Sequence, residues 1–180
     1  MLVFPDNTVL INFAILRRMD LLERLLGGNG VWCLTVSREC DTGAAEPGQE
    51  DLGQAKNFLG SAILPTQAER IDTGILRAEL ASPGEPGWMH MGEAETIAVI
   101  TSRHGSGALF VTDDEGARRL AKSNKIQSVS TWMMLKLAAK RDLIDEAVLL
   151  GYVRQLKSAG RSGAPASLRT VADVRAWVRS

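Results

Sequence analysis

Hydrophobic positions along this chain alternate between short continuous runs and longer stretches of helical spacing. Leu2-Val-Phe is an apolar run closed by Pro5-Asp6, and Val9, Leu10, Phe13, Leu16, Leu21, Leu22 and Leu25 then recur at a helical period, with Asn7 or Thr8 placed as the cap. The pattern predicts a strand and one long helix, stopped by Gly27-Gly28-Asn29-Gly30. Val31-Trp-Cys-Leu-Thr reads as a second buried strand, and Thr35 or Ser37 as the cap of a short helix that contains Glu39. Together these form a β-α-β unit.

Residues 41–49, with Gly43, Pro47 and Gly48, break the pattern. A helical stretch around Leu52–Leu59, a short strand at Ala62-Ile-Leu and a helix near Thr66–Leu80 follow. Ser82-Pro-Gly-Glu-Pro-Gly is a second strong breaker, after which Gly92-Glu-Ala-Glu-Thr-Ile-Ala-Val-Ile opens a helix with Ala94, Ile97, Ala98 and Thr101 on one face and Glu93 in its first turn. Ala108-Leu-Phe-Val-Thr is an uninterrupted apolar run of the kind found in buried parallel strands; it ends in Asp113-Asp114 before a helix carrying Ala117, Leu120 and Ala121. Ile126-Gln-Ser-Val is a further short strand. Helices at Thr131–Lys140, at about Leu143–Leu156 and at Thr170–Val178 close the chain.

Strands alternating with helices predict an α/β fold, a three-layer α/β/α sandwich around a mostly parallel sheet, with helices added at the C-terminal end. At 180 residues one core is expected. The main domain is expected over residues 1–157. Residues 158–180 are expected as a basic helical extension, hinged at the Gly- and Ser-rich Ser158-Ala-Gly-Arg-Ser-Gly-Ala-Pro.

Charge sharpens this division. The net charge is zero, but residues 151–180 hold six basic side chains against Asp173, which leaves 15 basic and 20 acidic side chains in the rest. An acidic body beside a basic end suits a metal-binding core next to a polyanion contact, although a merely solvated tail would look the same. The apolar runs fall well short of the roughly 20 residues of a membrane span, and nothing points to export, so a cytoplasmic setting without a membrane is expected. Two cysteines, Cys33 and Cys40, are too few for a disulfide framework or a zinc site and are expected as reduced, buried thiols.

Candidate chemistry lies at the strand ends, because ligands of open α/β sheets bind beyond the carboxyl ends of the strands. Asp6 follows the first strand and Asp113 the strand after the mid-chain crossover; Glu93 enters the same end if its helix starts beside the strand tips. Clustered carboxylates repel unless a cation neutralises them, and hard oxygen donors select Mg²⁺ or Mn²⁺. Taken singly, each of these acids also suits a helix cap or a dipole partner.

The same residues resemble a known family. Pro5-Asp6-Asn7-Thr8-Val9-Leu10-Ile11-Asn12 is similar to the first motif of PIN-domain nucleases. Gly92-Glu93-Ala94-Glu95-Thr96-Ile97-Ala98 is similar to the second acidic motif in the branch that carries Gly-Glu-Ala-Glu, and Val111-Thr112-Asp113-Asp114 with Ala117-Arg118 is similar to the third. Ser130–Ile144 resembles the closing helix, and the motifs run in order over about residues 2–150. The resemblance implies a Mg²⁺- or Mn²⁺-dependent ribonuclease with Asp6, Glu93 and Asp113 as primary ligands. Glu39 and Asp114 would serve a second ion, while Thr8 and Thr112 would orient ligands. Glu95 competes with Glu93 for its place; Ala94 and Ile97 at packed positions favour Glu93, leaving Glu95 in support. Arg118, Arg119, Lys122 or the tail arginines would grip the RNA backbone. The resemblance extends to VapC-like toxins, which implies a homodimer restrained by a small antitoxin protein.

Other readings fit less well. His90 and His104 lie in Gly-rich loops without a nucleophile-elbow serine, and Gly27–Gly30 lacks the Lys-Ser/Thr of a phosphate loop. Trp88, Trp132, Met133 and Met134 are expected in the core or in dimer contacts rather than against bases. A dehalogenase-type phosphatase wants Asp-x-Asp after its first strand, and a receiver-type phosphotransfer domain wants its acidic pair near the start with a late Lys. A non-catalytic PIN-like module that binds RNA or protein is the remaining alternative, and intact acids count against it.

Overall fold

The computed structural model describes residues 1–180. The first apolar run forms strand β1 (Leu2–Pro5), and Asp6 then takes the N-cap position of helix α1 (Asn7–Ile15). The predicted long helix is in fact two, because α1 ends before Leu16 and α2 spans Met19–Leu26. Arg17 sits at φ +54°, the Arg17 N–H donates to the Ala14 carbonyl, and the Arg18 N–H donates to the Phe13 carbonyl. That paired reversal is the usual C-terminal stop of a helix, here built without glycine. Arg18 continues the corner by pairing with Asp20 at 2.8 Å and hydrogen bonding to the Tyr152 hydroxyl.

Strand expected at Val31–Thr35 is reduced to two isolated bridges, Val3 to Gly30 and Cys33 to Ile63, and the expected Ala62-Ile-Leu strand survives only as that second bridge. Helix α3 (Leu34–Gly43) begins too early for more, with Cys33 rather than Thr35 or Ser37 at its N-cap. A 3-10 turn at Glu50–Gln54 leads into α4 (Ala55–Leu59), and α5 (Gln67–Leu80) opens on a capping box between Thr66 and Glu69. Helix α6 (Met91–Arg103) carries the Gly-Glu-Ala-Glu motif; its Thr101 faces solvent rather than the packed side.

Strand β2 (Ala108–Val111), helix α7 (Glu115–Ser123), strand β3 (Gln127–Val129) and helices α8 (Thr131–Lys140), α9 (Glu146–Ser158) and α10 (Val171–Arg179) complete the chain. The sheet is wholly parallel in the order β1-β2-β3, with Pro5 opposite Val111 and Val111 opposite Val129. Alternate side chains feed two cores. Val111 joins Leu10, Phe13, Leu22, Leu135 and Val153 on the face covered by α1, α2, α8 and α9, while Phe4 and Phe110 pack with Ile97, Ile100 and Leu120 from α6 and α7 on the other. This is the predicted three-layer arrangement.

Residues 158–180 contribute to the first core through Leu168 and Val174. Trp132 Nε1 donates to the Ser162 carbonyl at 3.1 Å, which ties the preceding loop to α8. Trp132 and Met134 are buried, whereas Met133 and Trp88 are exposed. Both cysteines are free and buried, and burial pushes the Cys33 thiol up to about 12. No helix is long and apolar enough to cross a membrane.

Candidate active site

The Asp6 N–H donates to the Val111 carbonyl at 2.8 Å, so the pairing of β1 with β2 runs one residue past the strand ends and sets Asp6 beside Thr112. Only 1% of Asp6 is exposed. Thr8 Oγ1 donates to Asp6 Oδ2 at 2.8 Å and Thr112 Oγ1 donates to the same oxygen at 3.2 Å. Burial raises the Asp6 carboxyl above its ordinary value against the opposing pull of these hydroxyls.

Glu39 on α3 and Glu93 in the first turn of α6 face Asp6 across a cavity of about 660 Å³, with Arg38, Trp88 and His90 on its walls. Gly92 is what allows α6 to come so close: a Cβ there would lie 2.9 Å from Glu39 Oε2 and 3.0 Å from Oε1. Its bare N–H helps to hold the Glu39 carboxylate. Glu93 is pushed up to about 8, first by burial and then by Asp6, with Glu39 and Asp114 adding to the repulsion. Burial, Asp6 and Glu95 push Glu39 up to about 7. Asp6 thus repels Glu39 and Glu93 across this cavity, and Asp114 at the end of β2 adds to the repulsion on Glu93. They stand apart, and no three Asp, Glu, His or Cys side chains are close enough to hold an ion among them. Four hard oxygen donors that repel one another suit a divalent cation of the Mg²⁺ or Mn²⁺ type, which would remove the repulsion.

The two adjacent acids at the end of β2 diverge. Asp113 is turned toward α8, where Oδ1 accepts from the Thr131 N–H at 2.9 Å and Oδ2 accepts from Thr131 Oγ1 and Asn12 Nδ2, both at 2.6 Å. Asp114 is turned toward Glu93 and uses Oδ1 to accept from the Ala117 N–H at 2.6 Å, capping α7. A small pocket of about 190 Å³ joins the two acids to Thr8, Asn12 and Arg161. Arg161 Nε donates to Asn12 Oδ1 at 2.6 Å, and its Nη2 donates to the Thr8 carbonyl at 3.2 Å.

Glu95 leaves the cleft. Its two oxygens accept from the Thr35 N–H at 2.8 Å and Thr35 Oγ1 at 2.9 Å, which anchors the first turn of α3 and so positions Glu39. Arg118, Arg119 and Lys122 line a separate open groove of about 810 Å³ between α7 and β3, together with Lys125. Arg118 links the groove to the site by donating to the Thr112 carbonyl at 3.1 Å. Asn12 does not emerge from the sequence as a site residue, His90 reads there as a loop histidine, and Arg161 is expected only among the tail arginines that would grip RNA. For Asn12 a signal existed, since it is the one amide in the apolar stretch of α1; His90 and Arg161 lie in Gly-rich segments that read as loops.

A parallel sheet between helical layers, with carboxylates from different elements meeting beyond the strand ends, defines an α/β protein of the acidic-cleft type. The chain belongs to the PIN-domain family, a nuclease-type fold: the family model described as a PIN domain matches residues 1–171. No curated protein and no solved structure matches the chain.

Proposed function

We propose that the chain is a divalent-metal-dependent ribonuclease that hydrolyses RNA phosphodiester bonds. The observation that carries this reading is the placement of Asp6, Glu39 and Glu93 on the walls of one cavity, where burial first and the Asp6 charge second raise both glutamates. Mg²⁺ or Mn²⁺, when bound, would make a potent nucleophile of its water and stabilise the charge that develops on phosphorus-bound oxygens.

The chain's own residues do the rest. Asp6, Glu39 and Glu93, which line the cavity, would hold the cation by drawing in on it, with Asp114 adding its charge from the end of β2, and Thr8 and Thr112 fix the Asp6 oxygen they share. Asp113, bound by Asn12 and Thr131, holds α8 against α1 beside the cleft. A cation in the cavity would favour the charged forms of Glu39 and Glu93, which burial and Asp6 oppose. In the hydrolysis, a water oxygen adds to phosphorus, the bond to one ribose oxygen breaks, and that oxygen takes up a proton. Arg118, Arg119 and Lys122 contact the RNA backbone along their groove.

Incubation of single-stranded RNA with the protein in Mn²⁺ or Mg²⁺ is the direct test. Cleavage is expected to stop with EDTA and in Asp6→Asn; cleavage indifferent to both would remove the proposal. The toxin setting, with a homodimer and a small antitoxin, rests on the family resemblance. It predicts growth arrest on expression that Asp6→Asn relieves, and a small DNA-binding protein in the adjacent reading frame.

A further inference from the structure

Trp88 is 72% exposed, the largest aromatic side chain in solvent, yet it belongs to one of the most firmly tied loops of the molecule. The Arg77 guanidinium on α5 reaches across and donates all its side-chain hydrogen bonds to this loop: Nε to the Met89 carbonyl at 3.1 Å, and Nη2 to the Pro86 carbonyl at 2.6 Å and the Glu85 carbonyl at 3.4 Å. Glu85 closes the loop on itself by accepting from the Ser82 N–H at 2.8 Å, and it lies 3.3 Å from His90 Nε2. Two prolines, Pro83 and Pro86, and His90 at φ +65° stiffen the path further. The loop therefore fixes where the exposed indole stands.

Trp88 lines the same cavity as Asp6, Glu39 and Glu93, and its loop runs directly into the first turn of α6 that carries Glu93. A cavity of about 660 Å³ has room for a nucleotide, whose phosphate would meet the carboxylate end through a cation. The base attached to such a phosphate then comes to the rim where the indole stands.

Resting on the nuclease reading above, we propose that Trp88 is a base-stacking platform for the nucleotide next to the scissile phosphate. Stacking on a flat aromatic face accepts every base but requires that the base be free of its own helix, because the bases of a duplex already cover one another's faces. Trp88 therefore selects for strandedness rather than for sequence. Arg38, exposed on the same cavity wall, offers a cation to the flanking phosphate.

Two measurements test this. In Mn²⁺-dependent cleavage of a short single-stranded RNA, Trp88→Ala is expected to raise KM roughly tenfold or more with kcat within about threefold, while Trp88→Phe keeps KM near wild type. In Asp6→Asn, expected to bind without cutting, the oligonucleotide quenches tryptophan fluorescence; adding Trp88→Phe removes most of the quenching but retains affinity, since Trp32 and Trp132 are buried and the half-buried Trp177 packs under Lys136 away from the cavity lining. An abasic site that weakens binding to Asp6→Asn has little further effect once Trp88→Ala is present. Unchanged KM in Trp88→Ala, equal use of duplex RNA, or a loss of self-association in Trp88→Ala without a KM change overturns the platform. Absence of any metal-dependent cleavage by the wild type would instead overturn the nuclease reading itself.

Discussion

Asn12 Nδ2 donates to Asp113 Oδ2 at 2.6 Å across 101 residues of chain. The amide is only 1% exposed, gives a second hydrogen bond to Thr131 Oγ1 at 3.0 Å, and accepts from Arg161 Nε on its oxygen. Every polar atom of this buried side chain is matched, and so is every oxygen of Asp113.

That matching separates the neighbours Asp113 and Asp114. In Asp113→Asn an amide would have to accept three donors that now meet a carboxylate, leaving a buried donor against a donor at a cost of roughly 1–3 kcal/mol. Asp114→Asn keeps the cap on Ala117, because Asn caps as well as Asp, but removes the charge that faces Glu93. Urea unfolding is expected to show Asp113→Asn destabilised and Asp114→Asn near wild type, while RNA cleavage falls by about a hundredfold or more in Asp114→Asn. The opposite ranking in both assays would return the metal set to Asp113.

Repulsion within the cleft sets a pH dependence. Glu39 at about 7 and Glu93 at about 8 lie above the 4.5 of a free glutamate, so between these values the folded chain binds more protons than the unfolded one. Stability from these groups is complete below that free value and is lost as pH rises through the raised values. In EDTA, Tm is expected to fall from about pH 5 to about pH 8, and Glu93→Gln to flatten that fall and raise Tm at the upper end. Mn²⁺ should reverse the loss and release protons into a weakly buffered solution. A Tm that climbs over this range would contradict the account.

Gly92 offers a change that divides stability from activity. A methyl at this position lies 2.9 Å from Glu39 Oε2, so the flexible carboxylate swings away and the cavity loses one wall of its donor set. Alanine is meanwhile the better helix former by about 0.5–1 kcal/mol. Gly92→Ala is expected to keep or slightly raise Tm while cleavage drops by about tenfold to a hundredfold. Full activity with Glu39 displaced in a crystal structure would show that Glu39 is dispensable.

The brace behind the cleft behaves in the reverse sense. Arg103 on α6 binds Glu69 on α5 through Nε at 2.7 Å and Nη2 at 2.6 Å, and holds the Glu69 carboxyl down at about 2. Glu69 is 2% exposed, so Arg103→Met strands a buried charge at a cost of roughly 3 kcal/mol. This contribution is present above the ordinary glutamate value and is lost as pH falls toward about 2. Arg103→Met should therefore shift the acid-unfolding midpoint upward, and an unchanged midpoint would mean that the pair is idle.

How much was legible followed from how local each feature is. Asp6, Glu39 and Glu93 could be read because a strand end, a short helix and a first helical turn are all visible within a few residues. The corner at Arg17 could not, since the apolar spacing continues through it and a left-handed arginine leaves no mark. Val31–Leu34 has the composition of a strand, yet α3 starting at Leu34 leaves it only the bridges at Gly30 and Cys33. Asp113 is expected from the sequence as a primary ligand and Asp114 as an outer one; in the structure Asn12 and Thr131 bind Asp113, while the charge of Asp114 acts on Glu93. Arg161 lay hidden because its glycine-rich surroundings resemble a linker.

Arg161 also has a temporal meaning. Its hydrogen bond to Asn12 spans 149 residues, and Leu168 and Val174 fill the core beneath α1 from still later in the chain. Synthesis proceeds from the other end. During synthesis Thr8 and Asn12 wait for Arg161, a partner 153 and 149 residues downstream, and the small pocket beside Asp113 and Asp114 closes only when it arrives. Under the proposed function, the small pocket beside the acids is thus still open while residues 1–160 are already made.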